Sequence, residues 1–134
     1  MGVRLKLRVL DLLRCPADEN WPLTIHIFEE KKLELVPMLP QKDEQSGVVC
    51  RDYCAKKDLD LSQKSHQKQV DYLTDCKDCL RTEIVAGVIH CPKCETFYPI
   101  IEEIPIMLRP ELRNEDIERD FTEKWAEKIK KLHA

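Results

Sequence analysis

Two pairs of cysteines in this chain, Cys76/Cys79 and Cys91/Cys94, stand in CxxC spacing with eleven residues between the pairs. A CxxC turn aims two thiolates the same way, and two such turns brought side by side supply the soft, tetrahedral ligand set that Zn²⁺ accepts. The intervening Glu83–His90 run reads as a strand, a turn at Gly87 and a second strand, so the spacing predicts a zinc ribbon with Cys76, Cys79, Cys91 and Cys94 as ligands. Three further cysteines leave rival sets open. Cys50 and Cys54 form a CxxxC only 21 residues before Cys76, and they could join Cys76/Cys79 around a metal or close a disulfide. Cys15 could complete a site with Cys91 and Cys94, but taken alone it reads as a small buried residue. Asp18, Glu19 and Asn20 stand where a second thiol or imidazole would be expected.

No Gly-rich phosphate loop, nucleophile–histidine pair or convergent carboxylates accompany these cysteines, so the chain reads as a non-enzyme. Rubredoxin-type iron is disfavoured, because Glu95 follows Cys94 where such knuckles carry Gly. Charged residues make up 35% of the 134, with a net charge of −3 and both signs mixed. That surface lacks the basic patch of a protein that binds nucleic acid on its own. No apolar run approaches the ~20 residues of a membrane span, and no leader is evident, so the expected location is cytoplasmic. In a reducing compartment seven cysteines favour metal ligation over disulfides, although the Lys/Glu-rich composition also suits thermophiles, whose intracellular proteins do carry disulfides.

The elements that must position these residues follow from periodicity. Arg4–Val9 alternates as a half-buried strand and Leu10–Arg14 follows as a helical turn; Trp21–Phe28 is a second alternating strand, onto which Leu33–Val36 and Met38 could pair. His26 takes the polar register of that strand and reads as an exposed residue rather than a ligand. The segment 37–61 is polar and loop-like, and Ser62–Leu73 reads as a short solvated helix on which His66 carries no functional signal. After Leu108, Asn114 caps a helix that is acidic at its start and basic at its end, with Ile117, Phe121, Trp125, Ile129 and Leu132 on one face. That stripe suits packing on the protein's own sheet, with docking on a partner or second copy as the other reading. Phe97–Ile101 and Ile104–Leu108 are more apolar than a metal knuckle needs for itself.

The opening LDLLRCPADENWPL, together with EIVAGVIHCPKCETFYPIIEEIPIMLRPEL, resembles the small zinc-binding methyltransferase-activator family, in its archaeal-like form. Members are shared subunits of tRNA, ribosomal-RNA and translation release-factor methyltransferases. The most specific part is the series from Glu83 through Gly87 and CPxC to the Tyr-Pro-Ile and Ile-Pro-x-Met-Leu of residues 98–108. The resemblance implies a zinc-ribbon-like β domain from both chain ends (1–36 and 80–110) with a loop and helical insertion (37–79); the C-terminal amphipathic helix (111–134), longer than the family pattern needs, rests on its own pattern, and together they make an α+β fold.

It implies a non-catalytic subunit with structural Zn²⁺, forming heterodimers with Rossmann-like methyltransferases that bring S-adenosylmethionine and hold most of the tRNA, rRNA or protein substrate. In the family the partner is met by edge-strand pairing and apolar contacts, for which Phe97, Ile100, Ile104, Pro105, Ile106 and Met107 are the candidates here. The resemblance carries Cys91 and Cys94 over directly, whereas Cys76 and Cys79 rest on spacing alone, and only Cys15 remains of the family's N-terminal cysteine pair. The alternative reading is a stand-alone zinc-ribbon adaptor in transcription or RNA binding, against which the acidic Glu95, Glu102 and Glu103 argue.

Overall fold

A nine-residue strand, Thr82–His90 (β4), is the spine of the molecule, and the computed structural model describes residues 5–34 and 40–132. β4 pairs antiparallel on one side with Thr24–Lys32 (β1) and on the other with Phe97–Ile101 (β5), which in turn pairs with the short edge strand Ile104–Pro105 (β6). The sheet order is therefore β1-β4-β5-β6, with strands drawn from both ends of the chain. Helices at the insertion and at the C-terminus complete an α+β fold.

β4 corrects the expected hairpin over Glu83–His90, because no turn interrupts it. Gly87 lies in mid-strand for a steric reason. A Cβ built there would collide with the His26 carbonyl oxygen and sit 3.2 Å from Ile27 Cα, so only Gly lets β1 come this close. Just beyond, the β1 register slips between Ile27 and Glu29. Such a bulge bends the strand and re-aims a side chain. Phe28 at the slip stacks on Phe121 and packs at a tilt against Trp125, with ring centroids 6.3 and 5.6 Å away.

The main core gathers Leu10, Leu23, Ile84, Ile89, Tyr98 and Ile100, each at most 1% exposed. Leu5–Val9 does not form the expected strand: Leu7–Asp11 is a 3₁₀ helix, and Leu5, buried in the main core, meets the sheet's backbone through its carbonyl, which accepts from Ile84 N–H at 2.9 Å. Buried Leu10 explains the difference, since the tighter turn carries it inward. The expected return of Leu33–Val36 onto β1 is also corrected where it can be seen, because Leu33 N–H donates to Arg81 O at 2.8 Å instead. Leu35, Val36 and Met38 lie outside the described residues.

The insertion is a small lobe with Tyr53–Cys54 (β2) paired to Leu59–Asp60 (β3), a four-residue helix Lys64–Gln67 (α1), a π-type turn Tyr72–Cys76 and the helix Lys77–Arg81 (α2). The helix expected over Ser62–Leu73 is thus cut short at α1, whose first turn lacks a side-chain cap. Asp11 ties the lobe down: its carboxylate accepts from the backbone amides of Arg51, Asp52 and Tyr53 at 2.8–2.9 Å.

The C-terminal stripe packs on the protein's own sheet, as its spacing suggests. Asn114 Oδ1 accepts from the amides of Asp116 and Ile117, starting Glu115–Lys124 (α3), and the helix breaks at Trp125 before resuming as Ala126–Leu132 (α4). Phe121 is buried, and Ile129 and Leu132 join it around a hollow with Val88, Phe97 and Pro99. Ile117 stays 52% exposed. Among the described residues no helix is long and apolar enough to cross a membrane.

Candidate metal centre

The two CxxC pairs do not meet. Cys79 lies in α2, just before β4, and Cys91 immediately follows β4, so nine extended residues of about 3.3 Å each hold the pairs roughly 30 Å apart. A hairpin would have brought them together; one continuous strand drives them to opposite ends of the sheet. The structure instead joins Cys91 and Cys94 to Cys15 and Asp18, and places Cys76 and Cys79 beside Cys50 and Cys54.

The first group is built from two equivalent loops. Cys15-Pro16-Ala17-Asp18-Glu19-Asn20 and Cys91-Pro92-Lys93-Cys94-Glu95-Thr96 run in parallel residue for residue. In each, the amide of the fifth residue donates to the carbonyl of the first: Glu19 N–H to Cys15 O and Glu95 N–H to Cys91 O, both 2.8 Å. In each, the first amide donates to the sixth carbonyl: Cys15 N–H to Asn20 O and Cys91 N–H to Thr96 O, both 3.0 Å. Glu19 and Glu95 also share the left-handed backbone, with φ of 60° and 59°. The first loop hangs before β1 and the second before β5, whose mutual neighbour β4 brings them face to face.

Asp18 therefore occupies the position that Cys94 holds in the other loop, and the ligand atoms of Cys15, Asp18, Cys91 and Cys94 all lie within 4.8 Å of one another. Cys15 Sγ is 3.6 Å from Cys94 Sγ, and Cys91 Sγ is 3.5 and 3.6 Å from the two Asp18 carboxylate oxygens. Zn–S bonds of about 2.3 Å and a Zn–O bond of about 2.1 Å span tetrahedral edges of about 3.8 Å between sulfurs and about 3.6 Å between sulfur and oxygen. The Cys15–Cys94 and Cys91–Asp18 separations match those edges, and three thiolates with one carboxylate are a donor set that suits Zn²⁺.

The surroundings tune the donors. A hydrogen bond from Asn20 N–H holds the Asp18 carboxyl below the usual carboxylate range. Cys94, 3.2 Å from the Thr96 hydroxyl, is held below the usual thiol range, whereas burial pushes Cys91 up to about 11. The buried Tyr98 hydroxyl, 3.1 Å from Cys15 Sγ, can donate to a thiolate there. Burial, reinforced by Cys15, raises its own pKa and keeps it a donor. Arg113 braces the far side of this residue. Its guanidinium lies 5.2 Å from the Tyr98 ring and donates to Leu108 O, Phe97 O and Glu118. The C-terminal helix is thereby linked to the centre through one side chain.

Cys50, Cys54, Cys76 and Cys79 line a separate hollow in the insertion. Burial pushes Cys50 up to about 12 and Cys79 up to about 11, and it raises Cys76 as well. All seven cysteines are free thiols.

The candidate partner-binding residues also separate. Ile100 is fully buried, because the alternation of β5 turns it and Tyr98 into the main core, so it is not available to a partner. Phe97 is half-buried and stacks on His90 with ring centroids 4.4 Å apart. Pro105 and Ile106 are half-buried and Met107 packs against the core, but Ile104 is 61% exposed on the edge strand β6. The exposed apolar residues continue beyond it at Leu108 and Leu112.

The signal that would have found Asp18 is the internal repeat of the two loops, visible once CPADEN is written under CPKCET. The family model described as Trm112p-like protein matches residues 6–103, a span that includes both loops. No curated protein matches the chain. Among solved structures, a chain of the E. cuniculi Mtq2-Trm112 complex, described as responsible for methylation of the eRF1 translation termination factor, is similar. It aligns at a TM-score of 0.49 with 16% identity, over 78% of this chain and 95% of that one.

Proposed function

This chain belongs to the Trm112p-like family, and from that premise we propose that it is a non-catalytic activating and stabilising subunit of S-adenosylmethionine-dependent methyltransferases that modify tRNA, rRNA or translation factors. The family match over residues 6–103 is the observation that carries the reading. The partner is a Rossmann-like methyltransferase, which supplies the cofactor site and most of the substrate contacts, and the heterodimer works in the cytoplasm, where thiolates stay reduced.

The sheet supports this role in a physical way. β6 is the two-residue edge of the sheet, and Ile104, Leu108 and Leu112 are exposed alongside. An edge of that kind accepts a further strand, with main-chain bonds giving affinity and the adjoining apolar side chains giving selectivity. Binding the folded enzyme but not its unfolded chain stabilises it by mass action. The centre of Cys15, Asp18, Cys91 and Cys94 serves structurally: bound Zn²⁺ would pin together the loops that lead into β1 and β5, and so hold the β6 edge in place.

The test is recovery of stoichiometric partners on the tagged chain from native extract, identified by mass spectrometry and assayed for methyl transfer. The reading predicts one or more methyltransferases that are insoluble when expressed alone. It also predicts that Ile104→Asp weakens their recovery while zinc content is unchanged. A chain that stays monomeric with no methyltransferase bound overturns it.

A further inference from the structure

We propose that Cys50, Cys54, Cys76 and Cys79 form a second structural site, in which four thiolates bind one Zn²⁺ ion within the insertion. Three lines of observation converge on it. The first is numerical. Of the seven cysteines, three belong to the first centre, and the remaining four all line one hollow, although they come from two segments separated by 21 residues. No thiol is left over.

The second is space. The hollow has a volume of about 20 Å³, and besides the thiols it is lined by Val49, Ala55, Val70 and Leu80 and by the charged Arg8, Lys56 and Asp75. A site needs about 10–15 Å³ for one water-sized occupant. The cavity thus suits a single ion and little else, and among the side chains at it only sulfur offers soft ligands in number.

The third is stability. The lobe's own core consists of Val48, Cys54, Leu61 and Val70, and its regular elements are two strands of two residues and helices of four and five. Beyond Tyr53 and Ala55, which pack into the main core, the lobe has little apolar surface of its own, and a metal or a disulfide is the usual supplement in small units. None of the four sulfurs is paired with another, which leaves the metal. Among the described residues the first centre alone has its ligand atoms all within 4.8 Å, so the second closes on its ion by rotating cysteine side chains between staggered rotamers.

The experiment is zinc stoichiometry on the full chain, purified under reducing conditions and measured by elemental analysis and by native mass spectrometry. Two zinc ions per chain are expected, with X-ray absorption giving an average of about 3.5 sulfurs per metal from one four-sulfur and one three-sulfur, one-oxygen site. Cys50→Ser and Cys76→Ser should each lower the content to one, and Cys91→Ser should do so independently. One zinc per wild-type chain, with the four insertion thiols open to alkylation in the folded protein, overturns the proposal. So does a non-reduced mass lowered by two hydrogens, which marks a disulfide. The wild-type count decides even if a variant fails to fold.

Discussion

The two cysteine clusters hold their thiols by different means. At the first centre, the paired loops of Cys15–Asn20 and Cys91–Thr96 are set by matching backbone hydrogen bonds and delivered by strands of a four-stranded sheet, so the four donors stand within 4.8 Å of one another. At the second, the thiols sit in a lobe whose own core is Val48, Cys54, Leu61 and Val70 and whose strands have two residues each, tied to the body by Asp11 and by contacts such as Trp21 against Tyr53. The difference teaches where the metal's binding energy goes. In the first it locks an existing sheet, and in the second it supplies much of what makes the lobe a folded unit.

The sharpest way to break that comparison is to remove one ligand from each cluster. Zinc in small sites is worth on the order of 10 kcal/mol near neutral pH. Cys91→Ser should therefore cost the β domain its metal and most of its thermal stability. Cys79→Ser should open the insertion while the sheet of β1, β4, β5 and β6 stays protected in hydrogen exchange. Loss of protection across β4 in both variants would show that the clusters are one cooperative unit. A smaller change asks the same question without touching a ligand. Leu61 is 1% exposed in the insertion core, and a buried Leu→Ala change costs about 2–5 kcal/mol. Leu61→Ala should raise exchange between Val48 and Val70 and leave Ile84 and Ile89 unchanged.

How far the sequence reveals these centres depends on the kind of signal. The second loop is legible from CPKCETFYPI alone, and the C-terminal helix from its Asn114 cap and its spacings of three and four. The pairing of Cys76/Cys79 with Cys91/Cys94 misleads because Gly87 suggests a turn. Its reason is the approach of the His26 carbonyl from a strand more than fifty residues earlier, which no local pattern shows. Asp18 is hidden by its chemistry, since a carboxylate in the fourth position of a knuckle does not announce a metal. Ile100 reads as surplus apolar surface until the alternation of β5 assigns it to the core.

The Asp18 position offers a finer test of preorganisation. Asp18→Cys would make the first loop chemically equal to the second, and a fourth soft donor should slow zinc release to a chelator by about tenfold or more, roughly 1.4 kcal/mol. Asp18→Ala should speed release by a similar factor, since Cys15, Cys91 and Cys94 remain. If neither variant changes the release rate of the zinc that Cys91→Ser removes, Asp18 is not a ligand.

The smallest expected effect lies at the seam between the insertion and the sheet. Asp78, in α2, is paired with Lys56 of the insertion and with Lys32 at the end of β1, where Nζ lies 3.4 Å away. The hydrogen bond from Lys56 is the main reason its carboxyl is held below the ordinary value of 3.8. A carboxyl depressed in the folded state adds stability that is fully present above its unfolded pKa and is lost as the pH falls through its folded one. The pair is partly exposed, so solvent screens it and its contribution is modest. Comparing thermal midpoints of wild type and Asp78→Asn should show a small deficit in the variant at pH near 6 that fades as the pH falls below the ordinary carboxyl value of 3.8 and through the depressed folded one. Because Lys56 and Asp78 both belong to the insertion and only Lys32 reaches across from β1, the deficit should fall on the insertion's exchange protection more than on that of β4. A deficit that persists unchanged to acid pH would mean that Asp78 acts through packing and not through its charge.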